Sequence, residues 1–138
     1  MSLDQNKLLV RRLVDEAQNA GRLDVVDELL SEDFVDHTPL EGLPGNREGV
    51  RMLFAALREA FPDLKVDISE QIAEDDRVVT RKTFRGTHGG PFLGLPATGS
   101  SVRFEVVDIL TIRNRRICEH RVVLDKLSLM QQLGAIPA

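Results

Sequence analysis

The main change in the spacing of apolar residues along this chain falls at Pro62. Before it they recur mostly every three or four residues, and after it, as far as Leu124, every two. A helix buries a stripe at a period of 3.6 and a half-buried strand at a period of 2. The chain therefore reads as helices followed by a mostly antiparallel sheet, an α+β arrangement.

Leu9, Val10, Leu13, Val14 and Ala17 predict a first helix, ended by Gly21. Val25, Val26, Leu29 and Leu30 predict a short second helix, which leads into an extended piece, Val35-Asp36-His37. Residues 38–46 carry two Pro and two Gly and read as a loop. Asn46 is a good N-cap for a third helix, with Glu48 in its first turn. Its stripe is Val50, Leu53, Phe54, Leu57 and Phe61, and Pro62 stops it.

Leu64, Val66 and Ile68 alternate with Lys65, Asp67 and Ser69 as a half-buried strand. A turn at Glu74-Asp75-Asp76 leads to a second strand over residues 77–86. Residues 87–101 hold too many Gly and Pro for regular structure. Residues 102–112 and 117–124 form a hairpin about the two-residue turn Asn114-Arg115. Asp125 caps a last helix over residues 126–133, closed by Gly134.

No repeat or linker divides the chain, so residues 1–138 are expected to form one domain. A net charge of -4 argues against a nucleic-acid surface, which needs clustered Lys and Arg. The chain has a single cysteine, Cys118, so an intrachain disulfide is excluded and a reducing cytoplasm is the expected compartment. No run approaches the roughly 18 apolar residues of a membrane helix, and no signal-peptide pattern opens the chain. Trp and Tyr are absent, which leaves Asp, Glu, His, Cys and Lys for acid–base chemistry.

Several stretches, taken together, carry a resemblance: Val10-Arg11-Arg12-Leu13-Val14, Phe34-Val35-Asp36-His37-Thr38-Pro39, the loop from Gly86-Thr87-His88 to Gly94-Leu95-Pro96, Glu119-His120-Arg121 with Asp125, and Gln131-Gln132-Leu133-Gly134. In this order they resemble the SnoaL-like polyketide cyclases of the nuclear transport factor 2-like (ketosteroid isomerase-like) superfamily. The resemblance implies a cone-shaped fold, with N-terminal helices packed on a strongly curved sheet around an apolar cavity. It implies an intramolecular aldol ring closure of a polyketide ester, without metal or cofactor, driven by an aspartate on the last strand. That aspartate's position falls at Val122; the supporting His falls at Asp108, its neighbouring Gln at Val106, and an Asn near the second helix at Asp36.

The residues themselves suggest where acid–base groups gather. In an unbroken hairpin, Ile112 faces Ile117 and Asp108 faces Arg121, which makes a natural ion pair. A bulge after Glu119 brings His120 and Val122 to that face instead. In both cases Asp108 shares a face with Phe104, Val106 and Leu110, and a carboxylate among apolar neighbours is a candidate general base. The expected catalytic set is Asp108 with Asp36 or His37; His120, Arg121, Val122, Val106 and Phe54 are the expected ligand contacts. His120 reads equally as a residue of a sheet face between two subunits. His88, His37 and His120 lie on separate elements without a short-spaced pair, so no metal site is expected. The expected partners are an apolar small molecule and a second copy of the chain across the open sheet face, with neither nucleic acid nor membrane.

Overall fold

A computed structural model describes residues 2–138. It opens with helix α1 (Leu3–Arg12), begun by a capping box: Ser2 Oγ accepts the Gln5 N–H at 3.1 Å and Gln5 Oε1 accepts the Ser2 N–H at 2.9 Å. Over Leu13–Asn19 the same helix widens to π winding, with the Ala20 N–H donating to Asp15 O. The periodicity predicts the helix but not this widening. Its consequence lies at Asn19, whose side-chain amide donates to Val66 O at 2.8 Å and accepts the Val66 N–H at 2.7 Å. Arg58 donates to the carbonyls of Gln18 and Asn19, groups that the helix end leaves open.

Helix α2 (Asp24–Leu29) runs directly into strand β1 (Leu30–Asp36), so Leu30 is the first strand residue rather than the last of the helical stripe. Helix α3 (Arg47–Ala60) begins where Asn46 Oδ1 accepts the Gly49 N–H at 3.1 Å. Four long strands follow: β2 (Lys65–Glu74), β3 (Arg77–Thr87), β4 (Ser101–Arg113) and β5 (Arg116–Leu124). The sheet order is β1-β5-β4-β3-β2, with β1 parallel to β5 and the other pairs antiparallel. Edge strand β2 exposes unpaired backbone, and the Asn19 amide occupies part of that edge.

The helices cover one face of the sheet. Val10, Val26, Leu29 and Phe54 pack against Val78, Leu110 and Ile117, while Phe61, Leu64 and Leu129 pack with Phe84 and Phe104. Helix α4 (Lys126–Gln132), capped by Asp125, is fixed by a second backbone-mimicking amide. Gln132 accepts the Arg103 N–H and donates to Arg103 O, both at 2.7 Å, at a part of β4 that lies beyond its pairing with β5. No helix is long and apolar enough to cross a membrane among the described residues.

The Gly-rich loop is held from within. His88 has no exposed surface, and its Nδ1 lies 2.9 Å from Thr98 Oγ1. The Gly89 and Gly90 N–H groups both donate to Ala60 O. A Cβ on Gly90 would stand 2.3 Å from Glu59 O, so the loop approaches α3 more closely than any side chain allows.

Candidate functional site

The β4–β5 hairpin sets which side chains share a face. Asn114 and Arg115 both have positive φ, 53° and 63°, as a two-residue turn of the right twist requires. Ile112 pairs with Ile117, but the next pair is Thr111 with Glu119. Cys118 is the extra residue of a bulge, and its thiol donates to Thr111 O at 3.4 Å. Burial pushes the Cys118 thiol above its ordinary value, partly offset by Arg113.

This one unpaired residue overturns the expected Asp108–Arg121 pair. Asp108 stands opposite Val122, whereas Arg121 stands opposite Ile109 on the other, exposed face. The bulge expected after Glu119 lies before it, with the same effect: His120 and Val122 join Asp108 on the helix-covered face. Arg121 is thereby removed from the group expected to contact a ligand on that face.

Strand β1 completes the arrangement. Asp36 pairs with His120 and Val35 with Glu119 in parallel register. Because successive side chains alternate, Asp36 and His37 point to opposite faces, as do His120 and Glu119. Two separate carboxylate–imidazole pairs result. Inside, His120 Nδ1 lies 3.0 Å from Asp36 Oδ1; outside, His37 Nε2 lies 2.8 Å from Glu119 Oε1, with Arg113 3.6 Å from the other Glu119 oxygen. Asp36 and His37, adjacent in sequence, therefore belong to different clusters.

Burial works to raise the Asp36 carboxyl, but hydrogen bonds from His120 and from Thr38 outweigh it and hold it below its ordinary value. Asp36 is thus an ionised acceptor at neutral pH. In a neutral ring the proton then sits on His120 Nδ1 and the lone pair on Nε2. Nε2 has no hydrogen-bond partner among the described residues. Thr38 ties the loop to the same strand: its N–H donates to Asp36 Oδ1 at 3.0 Å, and its Oγ1 accepts the Val122 N–H at 2.8 Å. On the outer pair, the hydrogen bond from His37 is the main reason the Glu119 carboxyl is held low.

Asp108 has a partner that the sequence analysis missed. Lys82 Nζ lies 2.5 Å from Asp108 Oδ2, and the two residues are 4% and 2% exposed. Lys82 sits diagonally across β3 and β4: it pairs in register with Val106, and Thr80 pairs with Asp108. The signal was available, since Val78, Thr80, Lys82 and Phe84 alternate along one face. Val106, in register with Lys82, is buried, and Val122, in register with Asp108, is half-buried. Phe54 is buried in one core cluster with Leu29, Leu30 and Phe34, whereas the half-buried Ile68, Val122 and Leu124 pack against the other. Two surface grooves, of about 510 and 380 Å³, meet at Arg115 near the hairpin tip; Asp36, His120, Lys82 and Asp108 line neither. Among the described residues no group of three or more His, Cys, Asp or Glu is placed to hold a metal ion.

The chemistry on the inner face is thus an oriented imidazole and, diagonally beside it, a buried ion pair. The model of the SnoaL-like polyketide cyclases matches residues 8–133. Two aklanonic acid methyl ester cyclases are 32% identical over 130 residues, 91% of this chain: DauD of Streptomyces sp. strain C5, of which 80% is covered, and DnrD of Streptomyces peucetius, of which 88% is covered. TsrD from Streptomyces laurentii superposes with a TM-score of 0.90 at 27% identity, covering 99% of both chains. With the family's pattern running through helices, sheet and closing helix alike, this chain belongs to the SnoaL-like polyketide cyclase family.

Proposed function

We propose that this protein catalyses proton transfer on a hydrophobic carbonyl compound bound against the inner face of the sheet, as in ring closure of a polyketide ester. The observation that carries the reading is the 3.0 Å contact between His120 Nδ1 and Asp36 Oδ1. It supports a ring held in one tautomer, with Nε2 as the base for a proton α to a carbonyl. The imidazolium formed is stabilised by Asp36 and returns the proton once the new carbon–carbon bond has formed. Asp36 thus keeps a place in the catalytic set expected from sequence. His120 takes the base role, and Asp108, with one oxygen on Lys82, serves the ligand instead. The names of the two cyclase relatives support a polyketide methyl ester as the substrate class.

The test is ring closure of aklanonic acid methyl ester by the wild-type chain, by His120→Gln and by Asp36→Asn. Loss of a positioned acid–base group lowers the rate by about 10²–10⁴-fold. Unchanged turnover in His120→Gln would sink the reading. Activity is expected to survive a chelator, since only side chains act.

Val122, where the resemblance places the reaction's aspartate, favours a second reading: a non-catalytic carrier of an apolar ligand. Tight binding of the ester without turnover would select it.

We also read the outer sheet face as the contact between two copies. Val107, Ile109 and Val123 are exposed there, Val123 at 76%, among the charges of Arg81, Glu105 and Arg121. Light scattering of Val123→Glu is expected to show a monomer where the wild type is a dimer. A reducing cytoplasm suits the lone thiol.

A further inference from the structure

Removing charged groups from water is unfavourable unless their hydrogen-bonding capacity is met. Lys82 and Asp108 are almost fully buried, and their contact meets only part of that capacity. Asp108 Oδ1 has no hydrogen-bond partner among the described residues. Lys82 carries three N–H donors, and Asp108 is its only acidic neighbour within 4 Å among those residues. The ammonium also stands 5.7 Å from the centre of the Phe84 ring, which stacks on Phe104.

The surroundings say what can meet the remainder. Lys82 is flanked in register by Ile68 and Val106, and Asp108 by Thr80 and Val122. Ile68, Val122 and Leu124, on the same helix-covered face, are only half-buried, so solvent reaches the apolar rim beside the pair although the pair itself is covered. An unmet acceptor and free ammonium donors thus lie side by side beneath apolar walls. A carboxylate or phosphate suits the ammonium and is repelled by Asp108. A ligand cation does the reverse, and a ketone or ether can only accept. A hydroxyl donates its hydrogen to Asp108 Oδ1 and accepts one from Lys82 Nζ.

We propose that Lys82 and Asp108 form a ligand subsite that recognises a phenolic or enolic hydroxyl on an otherwise apolar, flat molecule. The inference rests on the reading of the inner face as the ligand site, and it is independent of the acid–base role of His120. A ligand that lacks the hydroxyl leaves the buried carboxylate oxygen unpaired, so discrimination comes from the mismatch.

The probes are 2-naphthol and its methyl ether, 2-methoxynaphthalene, titrated calorimetrically into the wild-type chain. Wild type is expected to bind the naphthol at least about tenfold more tightly, the worth of one hydrogen bond to a charged group. Asp108→Asn alone strands the Lys82 ammonium and can unfold the chain. The paired replacement Lys82→Met with Asp108→Leu keeps the volume apolar, and is expected to bind both probes with equal affinity. Equal affinities in the wild type, or a preference that survives in the paired variant, overturn the subsite while leaving the acid–base reading intact. Failure of both probes to bind overturns the inner face as a ligand site. His120→Gln is expected to retain the naphthol preference while losing turnover; loss of the preference would assign the hydroxyl to His120 and overturn the subsite.

Discussion

His120 Nδ1 lies 3.0 Å from Asp36 Oδ1 across the parallel seam between β1 and β5, although 84 positions separate the two residues. The contact needs two independent facts: a parallel first strand, and a hairpin shifted by one residue at Cys118. Without the shift His120 would face outward, and Asp36 would be a buried carboxylate without its imidazole. The same geometry separates His37 from Asp36 and gives it to Glu119.

Asp36→Asn is expected to preserve the fold and to act on turnover more than on binding. The amide can present either oxygen or nitrogen to Nδ1, so the tautomer that leaves the lone pair on Nε2 is no longer enforced. kcat should fall by about 10²-fold or more with KM little changed. Steady-state kinetics on the ester, with circular dichroism as the check on folding, read this directly. A rise in KM alone would make Asp36 a binding group.

Stability should fall in acid through Asp36. Its carboxyl is held below the ordinary value: burial opposes this, but His120 and Thr38 prevail. A depressed folded value means that the contribution is complete above the ordinary carboxylate range and is lost as pH falls through the folded value. Urea midpoints should therefore drop more steeply below about pH 4 in wild type than in Asp36→Asn. Parallel curves for the two proteins would refute this linkage.

Truncating one member of the Lys82–Asp108 pair should be far worse than replacing both. Asp108→Ala leaves a buried ammonium unpaired and should cost about 3–5 kcal/mol. Lys82→Met with Asp108→Leu should range from near neutral to about 4 kcal/mol more stable, because it removes desolvation together with attraction. Denaturant unfolding of the three proteins decides it, and a paired variant that loses as much stability as Asp108→Ala would contradict a coupled pair.

Gly90→Ala should destabilise by about 1–3 kcal/mol, the range for forcing extra atoms into a packed site. The added Cβ meets the backbone oxygen of Glu59 at 2.3 Å, and backbone cannot swing aside as a side chain can. Gly89 is a useful control, since its nearest contact is Pro62 Cδ at 3.4 Å. Thermal melts of the two variants should differ clearly, with Gly90→Ala lower.

Cys118 should react slowly with iodoacetamide. Burial raises the thiol, so little thiolate is present near neutral pH, and the sulfur is turned to Thr111 O in the bulge. Mass spectrometry at pH 7.5 should show labelling at least about tenfold slower than in the urea-unfolded chain. Equal rates would mean that the bulge opens readily.

Much of this protein is local and therefore legible. Asn46 as a cap, the stripe ending at Phe61, the turn at Asn114-Arg115 and Asp125 before α4 each depend on residues a few positions apart. Period alone separates helix from strand, and the quoted motifs reach the family. The π winding at Leu13–Asn19 was hidden, because its apolar positions suit an ordinary helix almost as well. A bulge in β5 was legible only as an alternative, placed after Glu119, since nothing in Ile117-Cys118-Glu119 distinguishes the residue left unpaired.

The chain's own residues thus determined the elements, their order and the acid–base groups available on β1, β4 and β5. Tertiary structure decided which of those groups meet. Asp108 went to Lys82 rather than Arg121, His120 to Asp36, and His37 to Glu119. The physical reason is that periodicity is set by neighbours along one strand, whereas partnership is set by register between strands. Register has a period of two, so one unpaired residue exchanges the faces of every side chain beyond it.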